Sequence, residues 1–475
     1  MTTKDFTKGN ISRQIIMLAL PIMGTAFIQM AYSMTDMIWI GHVGSKAAAA
    51  VGAAGFFLWL GNSLFYTTKV GAEVGISQSL GAKDKIRAAQ FASQSMVISI
   101  LMSIAYGILL LALSNAFIGY FRFTDASVTA SAIGYLRIIA PGMLFTFLNG
   151  TFSGIYNGSG KSKIPFYANA AGLAINIVLD PILIYGFGPF PRMEVAGAAV
   201  ATLISQAIVT LIFVVNLSDR KSPFPELFRK FQLNGEVAWK VIKIGFPVML
   251  QSGLFAFFAM NIARIVSGWG ALAVAVQSVG AQIEAISWMT ASGFSTALSS
   301  FIGQNYGAKQ FQRIRQGYYR TLGITMTIGV FTTLAFVLFG DTIFGWFIPE
   351  ANAMHEGGIY LKILGASQLF MILEITTAGA FNGTGKTLPP SIVGILFTGL
   401  RIPLAIALTA VVGLSGAWWS ISISSVVKGV VLFVWFAFFL MRLPIERAKL
   451  TIPQKLFIHL IPSRMRQSII EGTND

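Results

Sequence analysis

The sequence of 475 residues contains no cysteine, only three histidines and few charged residues, which make up 11% of the chain. The lack of cysteine excludes disulfides and thiolate metal sites. The histidines, His42, His355 and His459, lie far apart in sequence and give no support to a zinc or haem site. The spacing of a phosphate-binding P-loop is also absent, so we expect no cofactor and no ATP-hydrolysing domain.

Apolar residues are abundant, at 55% of the chain, and the mean hydropathy is +0.71. They form many continuous runs of the roughly 20 residues that a membrane-spanning helix needs. Membrane β-barrels instead alternate apolar and polar residues. The polar start is followed by an apolar run too long for a signal peptide, so this run should remain as the first span. The sequence predicts an all-α membrane protein with twelve transmembrane helices.

The two halves of the chain are copies of each other. Matching stretches recur at a separation of 225 or 226 residues: Pro21 with Pro247, 77–83 with 303–309, and 156–165 with 381–390. Each copy holds an even number of spans, so both have the same orientation, as in transporters built from parallel repeats. We expect two six-helix lobes with these bounds: an amino lobe at 1–216, a linker at 217–236, a carboxy lobe at 237–441 and a basic tail at 442–475.

The net charge of +16 is distributed unevenly between the two sides of the predicted bundle. Basic residues crowd both termini and the loops after spans two, four, six, eight and ten. The opposite loops carry only Lys46, Arg122 and Arg192. Positive loops stay in the cytoplasm, so both termini are expected there, in a multi-pass protein of the cell membrane. The basic charge is better explained by topology than by a nucleic-acid surface.

Several motifs together resemble the multidrug and toxic compound extrusion (MATE) family of secondary transporters. They are SQSLGAKDKIRAAQ, IEAISWMTASGFSTALSSFIGQNYGAKQ, YNGSGKSKIP, FNGTGKTLPP, and NIVLDPILIYG followed by VAGAAVATLISQ. Aspartates in spans one and five and the glutamate of QIEAIS resemble the DinF-like branch. Phe255 stands where the NorM-like branch has a glutamate. The resemblance implies a central cavity between two lobes and efflux of organic, often cationic, compounds in exchange for H+ or Na+. We expect a transporter that acts as a monomer, not an enzyme.

Two aspartates, Asp36 and Asp180, lie inside apolar spans, where ionisable groups are rare and usually face the bundle interior. Tyr32 and Asn176 each precede one of them by four residues and so share its helix face. Such a pair can exchange a proton, or its oxygens can coordinate Na+. The resemblance assigns the amino-lobe ion site to Tyr32, Asp36, Asn176, Asp180 and Thr202. The alternatives are an interfacial carboxylate at Asp36 or Asp180 and simple helix packing by Thr202.

At the positions of the second repeat that correspond to this pair, the sequence has no acidic residue. Asp36 corresponds to Ile262, Asp180 to Ala405 and Asn176 to Arg401. The second lobe has its own charges within spans, which are candidates for substrate binding or gating: Glu284, Glu374, Arg401 and Lys428. Structural ion pairs among them, or with Arg264, are the alternative. Lys69 and Glu73, four residues apart, are predicted to pair with each other.

Two functions remain open from the sequence. The first is a gradient-driven exporter of small amphipathic organic compounds, which the amino-lobe carboxylates and the order of the motifs favour. The second is a flippase for lipid-linked precursors, for which Arg264, Arg401 and Lys428 would supply a cationic cavity. A membrane enzyme is not indicated, because no histidine-rich or nucleophile–base arrangement is present.

Overall fold

A computed structural model describes residues 4–218 and 234–444. Most of the predicted linker (217–236) and most of the predicted basic tail (442–475) lie outside the described residues. The lobe boundaries proposed at these positions therefore stay predictions.

The described residues form fourteen helices. They are α1 Ile11–Val43, α2 Ser45–Leu64, α3 Tyr66–Gly81, α4 Lys85–Gly119, α5 Ala126–Gly158, α6 Lys163–Tyr185, α7 Glu194–Ser218, α8 Gly235–Ser267, α9 Ala271–Gly307, α10 Phe311–Gly345, α11 Ala351–Gly383, α12 Leu388–Gly399, α13 Arg401–Val412 and α14 Ser415–Met441. No strand occurs within these ranges.

The fourteen helices make twelve spans, because two pairs of consecutive helices each form a single span. Helices α2 and α3 are separated only by Phe65, and α12 and α13 only by Leu400, and both residues keep right-handed helical backbone angles. The second break follows from Pro403, which has no N–H to bond the carbonyl of Gly399. Eleven spans of the described chain are long and apolar enough to cross a membrane. The twelfth, α9, packs against α1, α3, α10 and α11, and helix interfaces tolerate more polar side chains.

The helix bounds confirm the internal repeat. Adding 226 to the bounds of Ser45–Gly81 gives 271–307, the bounds of α9. Adding 226 to those of α4 gives 311–345, the bounds of α10. Adding 225 to those of α5 gives 351–383, the bounds of α11. The predicted fold of two six-span lobes, an amino lobe of α1–α7 and a carboxy lobe of α8–α14, is confirmed.

The lobes pack together at the end where α1 begins, which we call the basic end because the predicted basic loops lie there. Helix α3 of the amino lobe contacts α8 and α9 of the carboxy lobe, and α1 contacts α9. Glycines allow these approaches: a Cβ on Gly71 would lie 2.6 Å from the carbonyl oxygen of Val241, and one on Gly245 would lie 1.9 Å from that of Thr67. Small residues let helix backbones meet in this way.

The start of the chain also links the lobes at the basic end. Phe6 is 1% exposed and packs with residues of α9 and α10. Its N–H donates to the side-chain oxygen of Gln304 at 2.8 Å, and its carbonyl accepts from Arg313 at 3.0 Å. The segment before α1 is therefore fixed to the carboxy lobe, although α1 belongs to the amino lobe.

At the opposite end, acidic partners offset two of the three basic residues. Lys46 forms an ion pair with Asp125 at 2.6 Å, and Arg192 forms one with Glu194 at 3.1 Å. The Lys46 ammonium and the Ser127 hydroxyl hold the pKa of Asp125 below its usual range. These pairs increase the charge difference between the two ends of the molecule.

Candidate functional site

The aspartates that the sequence singles out come together in the amino lobe, in the half of the bundle away from the basic end. Asp36 lies near the end of α1 and Asp180 near the end of α6, one residue before Pro181. Helices α1 and α6 pack along each other, and the Tyr185 hydroxyl donates to the carbonyl of Trp39 at 2.9 Å. The two carboxyl groups are neighbours within side-chain hydrogen-bonding reach.

The remaining predicted residues surround this pair. Asn176 donates to the Oδ1 atom of Asp180 at 3.0 Å, and Thr202, from α7, donates to the Oδ2 atom of Asp36 at 3.5 Å. The side chains of Asn176 and Asp180 are 0% exposed. The Tyr32 hydroxyl lies beside Thr202. We call Tyr32, Asp36, Asn176, Asp180 and Thr202 the amino-lobe acidic site.

Five buried oxygens in and beside this site make no hydrogen bond of good geometry in the described chain. They are Tyr32 Oη, Asp36 Oδ1, Asn176 Oδ1, Asp180 Oδ2 and Ser205 Oγ. Buried polar atoms are satisfied in the great majority of cases, so five in one place set this part of the amino lobe apart. Carboxylate, amide and hydroxyl oxygens are also the groups that hard cations prefer as ligands.

Two members of the site were not identified from the sequence. Ser205 lies one helical turn after Thr202 on α7, beside Tyr32. Tyr135 of α5 is 4% exposed and lies in the electrostatic field of Asp36 and Asp180. Ser205 follows Thr202 by three residues, so helical spacing could have placed both on one face of α7. Tyr135 belongs to the repeated Tyr-Leu pair at 135–136 and 360–361, but that repeat alone does not indicate a site.

The four charged candidates of the second lobe also form one group, which we call the carboxy-lobe charge cluster. Lys428 and Glu374 make an ion pair at 2.9 Å, with side chains 8% and 11% exposed. Arg401 lies electrostatically close to Glu374 and Glu284. Glu284 accepts a hydrogen bond from Gln368 at 2.9 Å. Two carboxylates thus face two cations, and the cluster is balanced in charge.

Arg401 is held in place by serines of α14. Its Nε atom donates to Ser424 at 2.5 Å and one Nη atom donates to Ser425 at 3.1 Å. Arg264, by contrast, is exposed at the end of α8 and makes no ion pair in the described chain. Of the cations considered from the sequence, only Arg401 and Lys428 belong to the cluster.

The predicted pair of Lys69 and Glu73 is not an ion pair in the structure. The Lys69 ammonium lies over the rings of Phe65 and Tyr66, 5.9 and 5.2 Å from their centroids. The Glu73 carboxylate instead accepts from Ser300 of the carboxy lobe at 3.4 Å. Packing of α3 against α9 turns Glu73 towards the other lobe, which the spacing of four residues did not reveal.

The amino-lobe acidic site includes only two carboxylates, and no group of three or more His, Cys, Asp or Glu side chains able to hold a metal ion occurs in the described residues.

Comparison with known proteins agrees with this architecture. The family model described as MatE matches residues 21–182 and again 247–407, one match in each lobe. The chain is 29% identical over 425 residues to a probable multidrug resistance protein NorM from Thermotoga maritima, with 86% of this chain and 88% of that protein covered. It is 24% identical to the multidrug export protein MepA from Staphylococcus aureus, with 88% and 92% covered.

A solved structure has the same fold. The chain matches the outward-facing conformation of a multidrug resistance MATE family transporter of the MOP superfamily with a TM-score of 0.87, at 24% identity, over 94% of this chain and 100% of that chain. The family model covers more than half of the sequence, and members of the family are transporters. The twelve-span bundle described here is therefore a membrane transporter, not an enzyme, and belongs to the MatE family.

Proposed function

We propose that the chain is a secondary multidrug exporter, in which organic compounds leave the cell as H+ or Na+ enters. The names of the relatives support multidrug efflux, since a probable multidrug resistance protein and a multidrug export protein match most of the chain. Amphipathic organic compounds, often cationic, are the proposed substrates. The single chain contains both lobes, so it is proposed to act as a monomer within the bilayer.

The observation that carries the ion coupling is the set of buried oxygens around Asp36 and Asp180 that make no hydrogen bond of good geometry in the described chain. Neither aspartate forms an ion pair with a lysine or arginine in the described residues. Two neighbouring carboxyl groups in a site of low dielectric cannot both stay ionised without a compensating charge. A proton or a Na+ ion provides that charge, and its binding and release can accompany the movement of the lobes.

The geometry fits alternating access. The lobes are tightly joined at the basic end, whereas the amino-lobe acidic site lies towards the opposite end. Parallel-repeat transporters move by rocking one lobe against the other around a site near the membrane midplane. The basic end is proposed to face the cytoplasm, which makes the described conformation outward-facing and the acidic site accessible to ions from outside.

The flippase alternative receives less support. Arg401 and Lys428 lie beside Glu374 and Glu284, so their charge is already balanced. Arg264 is exposed outside the cluster. A pyrophosphate headgroup requires excess positive charge, and the described cations do not supply it in one place.

The test is transport into and out of proteoliposomes under separately imposed H+ and Na+ gradients, with a fluorescent lipophilic cation as the probe. Asp36→Asn and Asp180→Asn keep the size of the side chain but remove its charge. Each variant should insert normally, since a neutral residue costs less within a span. Each should lose uphill transport and fall to the level of empty liposomes.

Asp341→Asn is the matched control, because Asp341 lies on α10 in an ion pair with Lys362 at 2.9 Å, and its side chain is 49% exposed. This variant should keep gradient-driven transport. Uphill transport near the wild-type rate by either Asp36→Asn or Asp180→Asn would overturn the proposed coupling site.

A further inference from the structure

The carboxy lobe contains a counterpart of the amino-lobe acidic site. At the offset of 225, Tyr135 corresponds to Tyr360 and Asn176 to Arg401. Tyr135 lies in the electrostatic field of Asp36 and Asp180, and Tyr360, which is 2% exposed, lies in that of Glu284 and Arg401. Equivalent tyrosines therefore lie beside the amino-lobe acidic site and the carboxy-lobe charge cluster.

The last helix of each lobe confirms the equivalence. A Cβ on Gly197 of α7 would lie 2.5 Å from the carbonyl oxygen of Leu183, and one on Gly416 of α14 would lie 2.5 Å from that of Leu408. Leu183 and Leu408 are themselves 225 residues apart, so Gly197 and Gly416 are equivalent.

This alignment of α7 with α14 identifies a second pair of equivalent residues. Ser205 and Ser424 each lie eight residues after their glycine and so correspond to each other. Ser205 lies beside Tyr32 at the amino-lobe acidic site, whereas Ser424 accepts from Arg401. The two sites therefore share their framework and differ in charge.

We propose that the Arg401 guanidinium is a built-in cation, which permanently fills the carboxy-lobe counterpart of the place where the amino lobe takes up its exchangeable cation. The inference rests on the proposed ion coupling at Asp36 and Asp180. Only one of the two repeat-related sites then exchanges an ion, and the carboxy lobe contributes no ion-driven step.

Three features of Arg401 suit this role. An arginine stays protonated in proteins, so its charge persists through the transport cycle. The side chain is 9% exposed and is tied to Ser424 and Ser425, so it cannot move out as a mobile ion does. Arg401 lies in the field of both Glu374 and Glu284, and with Lys428 it balances the charge of these two carboxylates.

The same features argue against an anionic ligand for Arg401. Two of its nitrogen atoms already donate to serine hydroxyls, and two carboxylates lie in its field. An additional anion would add negative charge to a balanced cluster. A cation that balances the two carboxylates together with Lys428 is the simpler function.

The first experiment removes the built-in cation. Arg401→Asn introduces the residue found in the amino lobe and leaves Glu284 and Glu374 with Lys428 as the one remaining cation of the cluster. Binding of radioactive Na+ by equilibrium dialysis, and proton uptake after a pH drop, are measured on purified full-length protein. We expect one additional cation bound per chain, relative to the wild type. The double variant Glu284→Gln with Arg401→Asn is neutral again and should lose this gain, while Arg401→Lys should resemble the wild type.

The second experiment adds a built-in cation to the amino lobe and does not depend on the stability of Arg401→Asn. Asn176→Arg should pair with Asp180 and abolish the wild-type cation binding, although both aspartates remain. Asn176→Gln, which adds length without charge, should retain it. Unchanged cation binding in Arg401→Asn, or retained binding in Asn176→Arg, would overturn the inference.

Failure of the proposed function gives a different result. If Asp36→Asn and Asp180→Asn keep their ion-driven transport, the coupling site is misplaced, and the inference falls with it even if Arg401→Asn gains a cation. If those two variants lose coupling but Arg401→Asn gains no cation, the proposed function stands and the inference alone is wrong.

Discussion

Gly81 of α3 lies so close to Gln304 of α9 that a Cβ on Gly81 would come within 1.9 Å of the Gln304 carbonyl oxygen. The reciprocal contact is equally close, since a Cβ on Gly307 would come within 1.9 Å of the Gln78 carbonyl oxygen. Gly81 and Gly307 are 226 residues apart, and so are Gln78 and Gln304, so each pair occupies equivalent positions in the two repeats. The repeated Gln-x-x-Gly of the two lobes is thus a symmetric contact that holds the basic end closed.

Gly81→Ala and Gly307→Ala should each open the basic end. Overpacking costs about 1–3 kcal/mol, which corresponds to a shift of roughly 5- to 150-fold towards the state in which the lobes separate there. Because the chain has no cysteine, spin labels on Lys85→Cys and Gln316→Cys, both at exposed positions, report the distance across the lobes.

The control for this prediction is Gly323→Ala in α10, where a Cβ meets no atom within 4 Å. With this substitution, the distribution of distances between the two spin labels should match that of the doubly labelled protein without it. Distributions that remain unchanged in both Gly81→Ala and Gly307→Ala would show that the contact does not limit opening.

Glu73 should stabilise the same closed end. Its buried carboxylate accepts from Ser300 across the boundary between the lobes. Glu73→Ala leaves this serine without its partner, at a cost of about 1–3 kcal/mol, and should lengthen the distance between the labels. Glu73→Gln retains an acceptor and should stay close to the wild type. Equal distances in Glu73→Ala and Glu73→Gln would contradict this role.

The ion pair between Glu374 and Lys428 should matter more for folding than for ion coupling. Glu374→Gln leaves a buried ammonium unpaired and should destabilise the protein by about 3–5 kcal/mol. The double variant Glu374→Gln with Lys428→Met should recover most of that loss. Thermal unfolding in detergent measures both, and a double variant less stable than Glu374→Gln would contradict the expectation.

Both termini should lie in the cytoplasm. The even number of spans places them on one side, and the basic loops assign that side. A reporter that is active only in the cytoplasm, fused before Met1 or after Asp475, should be active in both fusions. A reporter inserted after Gly188, in the loop between α6 and α7, should be inactive. Activity at only one terminus would require an odd number of spans.

The sequence by itself determined the number of spans and the repeat, and it supplied the candidate site residues. Hydropathy and helix periodicity are local properties, so they locate helices such as α4 and α10 along the chain, although not their exact ends. A carboxylate within an apolar run is costly wherever it lies, so Asp36 and Asp180 are recognisable without any structure. The spacing of four residues likewise places Tyr32 and Asn176 on the faces of these aspartates.

Only the tertiary structure decided which of these residues meet. The rotation and depth of each helix follow from packing against its neighbours, and a single sequence does not encode these as a readable pattern. Packing brought Asp36 beside Asp180, turned Glu73 away from Lys69 towards Ser300, and placed Arg401 between α14 serines and two glutamates. Charge balance depends on such distances, because Coulomb energy is set by separation and dielectric surroundings, which the order of residues does not show.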